Sequence, residues 1–232
     1  MAGGGLYFMD SYPPDETALE ALKGNANYQV NITDDYVSFI PQGLALNEKE
    51  GLLFYQGAKV EAEAYAVLGK QLAEKGIPVV IAKMPVRFAI FDAQKGLELY
   101  EQLGLKGKWA IGGHSLGGAM AAKIVYEYPE AFDKLILLAA YPSGKSNDLS
   151  NRQVKVLSIW GTKDGLVTAA KIEAHRAFLP AETMYYKIEG ANHAQFGNYG
   201  PQKNDLEAEI DAKTQMDLVA EQIGVFFLSK ED

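Results

Sequence analysis

Apolar and polar side chains alternate twice near the start of the chain, in Tyr28-Gln29-Val30-Asn31-Ile32 and in Tyr36-Val37-Ser38-Phe39-Ile40, with Asp34-Asp35 between them. Alternation puts the apolar residues of a strand on one face, so this stretch predicts a hairpin of two half-buried strands. From residue 51 the pattern changes. Short, continuously apolar runs at 51–55, 77–82, 134–140, 154–160 and 183–189 read as strands covered on both faces, with Pro78 tolerable only near the beginning of its run. Helical spacing fills the gaps. Lys59 to Lys75 gathers Val60, Ala64, Val67, Leu68 and Leu72 on one face and meets Gly76 at its end. Residues 92–103, 168–178 and 215–228 read as further helices. Pro14 to Lys23 reads as an early one, with Asp15 and Glu16 in its first turn. Buried strands alternating with helices imply an α/β fold: a mostly parallel eight-stranded sheet, antiparallel at its start, with helices on both faces. There is no internal repeat, low-complexity tract or linker, so residues 1–232 are expected to form one domain.

The fifth strand in chain order is where chemistry enters. Lys108-Trp109-Ala110-Ile111 reads as a short buried strand, and Ala119, Met120, Ala121, Ile124 and Val125 recur at helical spacing until Tyr128-Pro129. Between them lies Gly113-His114-Ser115-Leu116-Gly117-Gly118, which contains the Gly-x-Ser-x-Gly pattern of a nucleophile elbow. A serine at such a corner is forced toward a strained backbone, which leaves little room for a Cβ on either side. Gly113 and Gly117 supply the space, and Gly118 lets the helix pack closely. The turn also sets the Leu116 amide at a helix N-terminus, where a developing oxyanion is favoured. The bland alternative is a glycine-rich turn that merely packs.

Composition narrows the choices. A 48% hydrophobic content supplies one large core, while a net charge of -8 argues against nucleic acid or an anionic membrane as partner. The absence of cysteine removes thiolate nucleophiles, disulfides and cysteine metal sites together, leaving the compartment open. No apolar run approaches the roughly 18 residues of a membrane helix, so no membrane partner is expected of the chain as given. Met1-Ala2-Gly3-Gly4-Gly5 lacks the regions of a signal peptide, and residues 1–10 read as a disordered or artificially appended start. Oligomeric state leaves no mark in the sequence.

A serine hydroxyl needs a base, and the chain has only His114, His175 and His193. His114 sits inside the elbow, where local packing or hydrogen bonding is its expected part. His175 lies mid-helix among Lys171, Glu173 and Arg176, as on a solvated face. His193 lies in Gly190-Ala191-Asn192-His193-Ala194, directly after the last strand, where parallel sheets gather functional groups. It is the expected base. The orienting carboxylate is expected at Asp164, in Gly161-Thr162-Lys163-Asp164-Gly165, although Asp-Gly is also plain turn chemistry. Glu189 is a rival and Asp148 a weaker one. Ser115, Asp164, His193 is the chain order of an α/β-hydrolase triad. A second oxyanion donor is expected from the loop after the third strand, at the amide of Ala58, with Gly57 allowing the close turn and Leu116 as its partner.

Together these residues resemble the α/β-hydrolase superfamily across nearly the whole chain. Tyr55-Gln56-Gly57-Ala58-Lys59, Ala139-Ala140-Tyr141, Gly161-Thr162-Lys163-Asp164-Gly165 and Asn192-His193-Ala194-Gln195-Phe196-Gly197 are similar to segments of a bacterial esterase group of family-5 type, related to dienelactone hydrolases. The resemblance implies the α/β-hydrolase fold, a hydrolytic reaction and the triad Ser115, Asp164 and His193. Members often carry an N-terminal hydrophobic anchor, which implies an extracytoplasmic, membrane-anchored address if one preceded residue 1. Two departures stand out. Gln56 replaces a usual proline beside the oxyanion loop, and dienelactone hydrolases use a cysteine nucleophile that this chain lacks.

The expected activity is therefore that of a serine hydrolase, carboxylesterase-like, acting on a small-molecule ester or acyl substrate without cofactor or metal. Acyl transfer, peptide cleavage and non-catalytic ligand binding are the alternatives. Met84 and Phe88, in an apolar loop after the fourth strand, together with Tyr141 and Phe196, are candidate substrate-lining residues; filling core beneath the loops is the equal alternative. Arg87 in the same loop offers a charge to an anionic substrate or simply reaches solvent. Residues 197–213 read as a flap, with Asp205, Glu207, Glu209 and Asp211 as a solvated acidic face. The short stretch from Ala140 to Val154 leaves little room for a cap domain, which favours accessible esters.

Overall fold

The computed structural model describes residues 11–107 and 109–228, so the readings placed on residues 1–10 and on Lys108 lie outside the described residues. Eight strands form one sheet: β1 (Tyr28–Ile32), β2 (Tyr36–Pro41), β3 (Leu52–Tyr55), β4 (Val79–Ala82), β5 (Ala110–His114), β6 (Lys134–Leu138), β7 (Lys155–Gly161) and β8 (Met184–Ile188). Their order is β1-β2-β4-β3-β5-β6-β7-β8. β2 pairs antiparallel with both β1 and β4, and every later pairing is parallel. Among the described residues six α-helices accompany them: α1 (Glu16–Ala21), α2 (Ala66–Glu74), α3 (Lys95–Gln102), α4 (Leu116–Glu127), α5 (Ala169–His175) and α6 (Ala212–Leu228).

The central strands bury both faces, as their unbroken apolar runs require. Phe54, Ile81 and Leu138 pack with Leu68 and Val219 on one side of the sheet. Their neighbours Leu53, Val80 and Leu137 pack with Leu99 and Val125 on the other. β2 departs from the half-buried strand that its alternation predicts. Tyr36, Val37, Ser38 and Phe39 are all buried, because β2 lies between two strands and α2 covers one face. Gly69 makes that cover close: a Cβ there would stand 2.3 Å from the Phe39 ring.

Helix starts differ where the chain is tied elsewhere. The segment expected to be helical from Lys59 first runs beside Tyr12, with Tyr12 N–H donating to Lys59 O at 2.8 Å and Glu61 N–H to Tyr12 O at 3.0 Å. Lys59 has φ 66°, so helix geometry begins only in the 3-10 turn Ala62–Tyr65 that leads into α2. Likewise α3 begins at Lys95 rather than 92, since Asp92 has a non-helical backbone. Between β6 and β7, residues 139–154 hold only one 3-10 turn, Gly144–Asn147. No cap intrudes there over the carboxyl ends of the parallel strands.

Candidate active site

Ser115 stands between the last residue of β5 and the first of α4, with φ 53° and ψ -122°. A non-glycine residue at positive φ is uncommon and costs on the order of 1–3 kcal/mol, so its surroundings must hold it. They do so through the backbone: Ser115 N–H donates to Leu138 O at 2.9 Å and Ala119 N–H to Ser115 O at 3.1 Å. The flanking glycines are obligatory for steric reasons. A Cβ on Gly113 would lie 2.5 Å from the Gly117 carbonyl carbon, one on Gly117 would lie 2.4 Å from the carbonyl oxygens of Tyr55 and Gln56, and one on Gly118 would lie 2.4 Å from the Ala140 methyl.

His193 follows β8 and opens a 3-10 turn, Ala194–Phe196. Its Nδ1 lies 2.8 Å from Oδ2 of Asp164, and both side chains are buried. The other carboxylate oxygen, Oδ1, accepts from Leu166 N–H at 2.8 Å and Val167 N–H at 2.6 Å. Asp164 thus has turn chemistry and the histidine contact at once. An acceptor-only carboxylate makes Nδ1 the donor, which leaves Nε2 bare, the tautomer a general base needs. Nε2 is buried and meets no hydrogen-bond partner among the described residues, so the Ser115 hydroxyl is not bonded to it. Such bonds commonly form only with substrate present.

The rival acids are engaged elsewhere. Glu189 is exposed and pairs with Lys187, whose hydrogen bond holds its carboxyl below the usual range. Asp148 accepts from Ser150 N–H at 2.9 Å in a local turn, and that bond lowers its pKa. His175 is half-buried at the end of α5 and stacks on Tyr141 at 4.1 Å, with Nδ1 at 2.8 Å from Lys171 O.

His114 does more than fill space. Its ring centroid lies 4.5 Å from that of His193 and 5.8 Å from that of Phe196. Its Nδ1 lies 2.9 Å from the Tyr65 hydroxyl, which accepts Gly57 N–H at 2.8 Å. The hydroxyl proton therefore goes to Nδ1, and His114 carries its own proton on Nε2. Burial, and after it the neighbouring His193, hold the His114 pKa well below the ordinary value, while the His193 backbone acts in the opposite direction. Burial raises Tyr65, so the phenol keeps its proton.

The expected oxyanion donors lie on neighbouring segments, since a Cβ on Gly117 would stand 2.4 Å from Gln56 O. Ser115 N–H and Gly57 N–H are occupied, whereas Ala58 N–H and Leu116 N–H donate to no protein acceptor among the described residues. A Cβ on Gly57 would lie 2.8 Å from His114 Nδ1, so the loop runs against the ring. Gln56, at the position of the usual proline, is buried; its Nε2 donates to Val60 O at 2.7 Å and its Oε1 lies 3.4 Å from Met84 N. Arg87 O in turn accepts Lys59 N–H at 2.9 Å. The loop after β4 is thereby strapped to the loop after β3.

Of the candidate lining residues, Met84 and Phe196 are buried in core clusters, and Phe88 and Tyr141 are half-buried. Val86, Ile90 and Phe91 of the same rim loop are exposed. Arg87 is half-buried, and its Nε is buried without a partner among the described residues, so it does not simply reach solvent.

The segment expected to be a flap is tied down at several points. Asn198 N–H donates to Ala64 O at 2.7 Å, Asp15 N–H to Asn198 O at 2.8 Å, and Glu209 N–H to Gly190 O at 2.8 Å. Nor are its carboxylates a uniform solvated face. Glu209 pairs with Lys163 at 2.6 Å, Asp211 accepts Thr214 N–H at 2.7 Å, and Asp205 accepts three backbone amides. Sequence reading missed Asp205, Tyr65 and Gln215. The Gln215 carboxamide is fully buried and brackets Asn192, accepting its N–H at 3.1 Å and donating to its carbonyl at 2.9 Å. No periodicity or motif announces such long-range bonds. Among the described residues, no group of three His, Asp or Glu is arranged to hold a metal ion, and no helix is long and apolar enough to cross a membrane.

A family model described as alpha/beta hydrolase family matches residues 51–217. No curated protein matches the sequence. Among solved structures, a thermophilic esterase of Thermogutta terrifontis, solved with malate bound, is similar with TM-score 0.63 and 13% identity over 86% of this chain and 93% of that one. An esterase of Mycobacterium tuberculosis is similar with TM-score 0.61 and 10% identity over 90% and 96%. Est1E of Butyrivibrio proteoclasticus is similar with TM-score 0.61 and 13% identity over 87% and 98%. At such identities the likeness is one of fold, and the fold is the α/β-hydrolase fold.

Proposed function

Because the chain belongs to the alpha/beta hydrolase family, we propose that it is a serine hydrolase cleaving a carboxylic ester through Ser115, His193 and Asp164. The observation that carries this reading is the buried 2.8 Å contact of His193 Nδ1 with Asp164, set against the elbow that strains Ser115. In the proposed reaction, His193 Nε2 takes the Ser115 proton as Oγ attacks the ester carbonyl. The oxyanion is received by the amides of Ala58 and Leu116. The imidazolium, stabilised by Asp164, gives its proton to the departing alcohol, leaving an acyl-enzyme. Water then gives a proton to the same nitrogen and attacks the acyl carbon, and the acid leaves as Ser115 regains its proton. The uncapped stretch 139–154 favours accessible, small-molecule esters, with Phe88 and Tyr141 as the accessible candidates for contact with them. In this reading residues 1–232 act as one domain.

Labelling with a fluorophosphonate probe tests the reading. Wild type is expected to be labelled and to turn over short acyl esters, and Ser115→Ala to do neither. His193→Ala is expected to lower turnover on the order of 10⁴-fold or more. An ester turnover that survives Ser115→Ala would remove the proposal.

A further inference from the structure

The acid and the base arrive on separate loops, and one carboxylate joins them just beyond the reacting pair. Oδ1 of Asp205 accepts Gly165 N–H at 2.9 Å, and its Oδ2 accepts Ala194 N–H at 2.8 Å. Gly165 directly follows Asp164, and Ala194 directly follows His193. Leu206 N–H adds a third donor at 2.9 Å to Oδ1. Asn204, just ahead, takes φ 69°, a left-handed turn that feeds Asp205 into the gap. The backbone of residues 204–206 also sits directly on Gly165, where a Cβ would be 2.7 Å from Asn204 O and 2.9 Å from Leu206 N.

Apart from the Asp164–His193 contact itself, the other bonds between the two loops among the described residues lie nearer the strand ends, where Lys163 N–H donates to Ala191 O at 2.8 Å and Gly190 N–H to Thr162 Oγ1 at 2.8 Å. Gln215 fixes the base loop to α6 through both of its side-chain bonds, which go to the Asn192 backbone. Asp205 alone among these groups binds the residue after the acid and the residue after the base with its two oxygens. An ionised acceptor makes both bonds short and strong.

We infer that Asp205 is a positioning residue, a carboxylate clip that sets the distance and angle between Asp164 and His193. The inference rests on the reading of Ser115, His193 and Asp164 as the triad. A clip of this kind acts on turnover by each active site, because a displacement of about 1 Å in a reacting group costs on the order of 10²-fold. A merely structural carboxylate would act on the fraction of molecules that fold. Asp205 borders a cleft of ≈ 600 Å³, so smaller or isosteric side chains find room there.

The experiment measures ester kcat and KM per probe-labelled site for Asp205→Ala, Asp205→Asn and Glu207→Gln beside wild type, and ester turnover per mole of folded protein for Ser115→Ala. Asp205→Ala is expected to lower kcat per labelled site by about 10²-fold with KM little changed. Asp205→Asn keeps one acceptor oxygen but turns an amide group toward the other N–H, so it is expected to fall between. Glu207→Gln removes the same charge two residues away and is expected to match wild type. Wild-type kcat per labelled site in both Asp205 variants would overturn the inference, and so would a loss confined to labelled fraction and Tm. An active Ser115→Ala would instead overturn the triad reading, and this inference with it.

Discussion

The serine side of the proposed site and its acid–base side, Asp164 with His193, are built by opposite means. Ser115 is held by contiguous sequence: its strand, its three glycines and its helix lie within residues 110–127, and exclusion of a Cβ does the work. Asp164 and His193 are held by side chains further along the chain, where Asp205 and Gln215 bond to loop backbones, and by Asn192 reaching across to Leu206 O. Steric exclusion tolerates no substitution, whereas a hydrogen-bonded scaffold loses one tie at a time. The serine side should therefore fail abruptly and the acid–base side by degrees.

The largest effect is expected at Gly117→Ala, whose added methyl would press on two backbone oxygens at 2.4 Å. Neither atom is a flexible chain end, so a loss of about 3 kcal/mol in urea unfolding and of nearly all ester turnover is expected. Near-wild-type stability would show that the elbow yields more readily than its contacts imply. Gln215→Leu comes next, since it leaves Asn192 N–H and C=O unpaired in a fully buried place. Chemical unfolding should register about 2–4 kcal/mol while fluorophosphonate still reaches Ser115. Tyr65→Phe deletes the hydroxyl joining Gly57 to His114, at a cost of about 1–3 kcal/mol, and is expected to lower turnover by loosening the Ala58 amide. An unchanged rate would detach the oxyanion loop from that tyrosine.

Acidity gives a finer probe of the junction between the two sides. The folded state holds His114 neutral well below its ordinary pKa, whereas the unfolded chain protonates it near pH ~6.5. Between these two values the unfolded state binds more protons, so stability falls as pH drops through about 6.5 and levels off below the folded pKa. The Tm of wild type should thus decline more steeply than that of His114→Gln between about pH 7.5 and about pH 5. Superimposable curves would mean that His114 is not kept neutral. The smallest effect is expected from Glu189→Gln, an exposed carboxylate paired with Lys187, whose loss should leave ester turnover within about twofold. A collapse of activity there would move the acid away from Asp164.

Legibility follows the same division. Gly113, Ser115 and Gly117 stand out in the sequence because the strain they relieve is local, and the continuous apolar runs of β3 to β7 announce a sheet covered on both sides. Half of β2 was harder to place. Alternation at 36–40 says nothing about what will cover the polar face, and Ser38 is buried only because β2 ends inside the sheet. Lys59 to Glu61 carry a helical pattern yet pair with Tyr12, a tertiary contact overriding a local preference. Asp205 reads as one more surface acid among Glu207, Glu209 and Asp211, since nothing in its neighbours reveals that two amides wait for it.

One consequence belongs to Gln56. A proline at that position would have no side-chain amide to share, but here a single carboxamide bridges Val60 and Met84, and Arg87 closes the bridge from the other end. The apolar lip carrying Val86, Ile90 and Phe91 and the proposed cradle for negative charge at Ala58 are consequently one mechanical piece. Grafting a foreign lip onto this scaffold to change its substrate would retune the cradle as well, so residue 56 has to travel with residues 84–91.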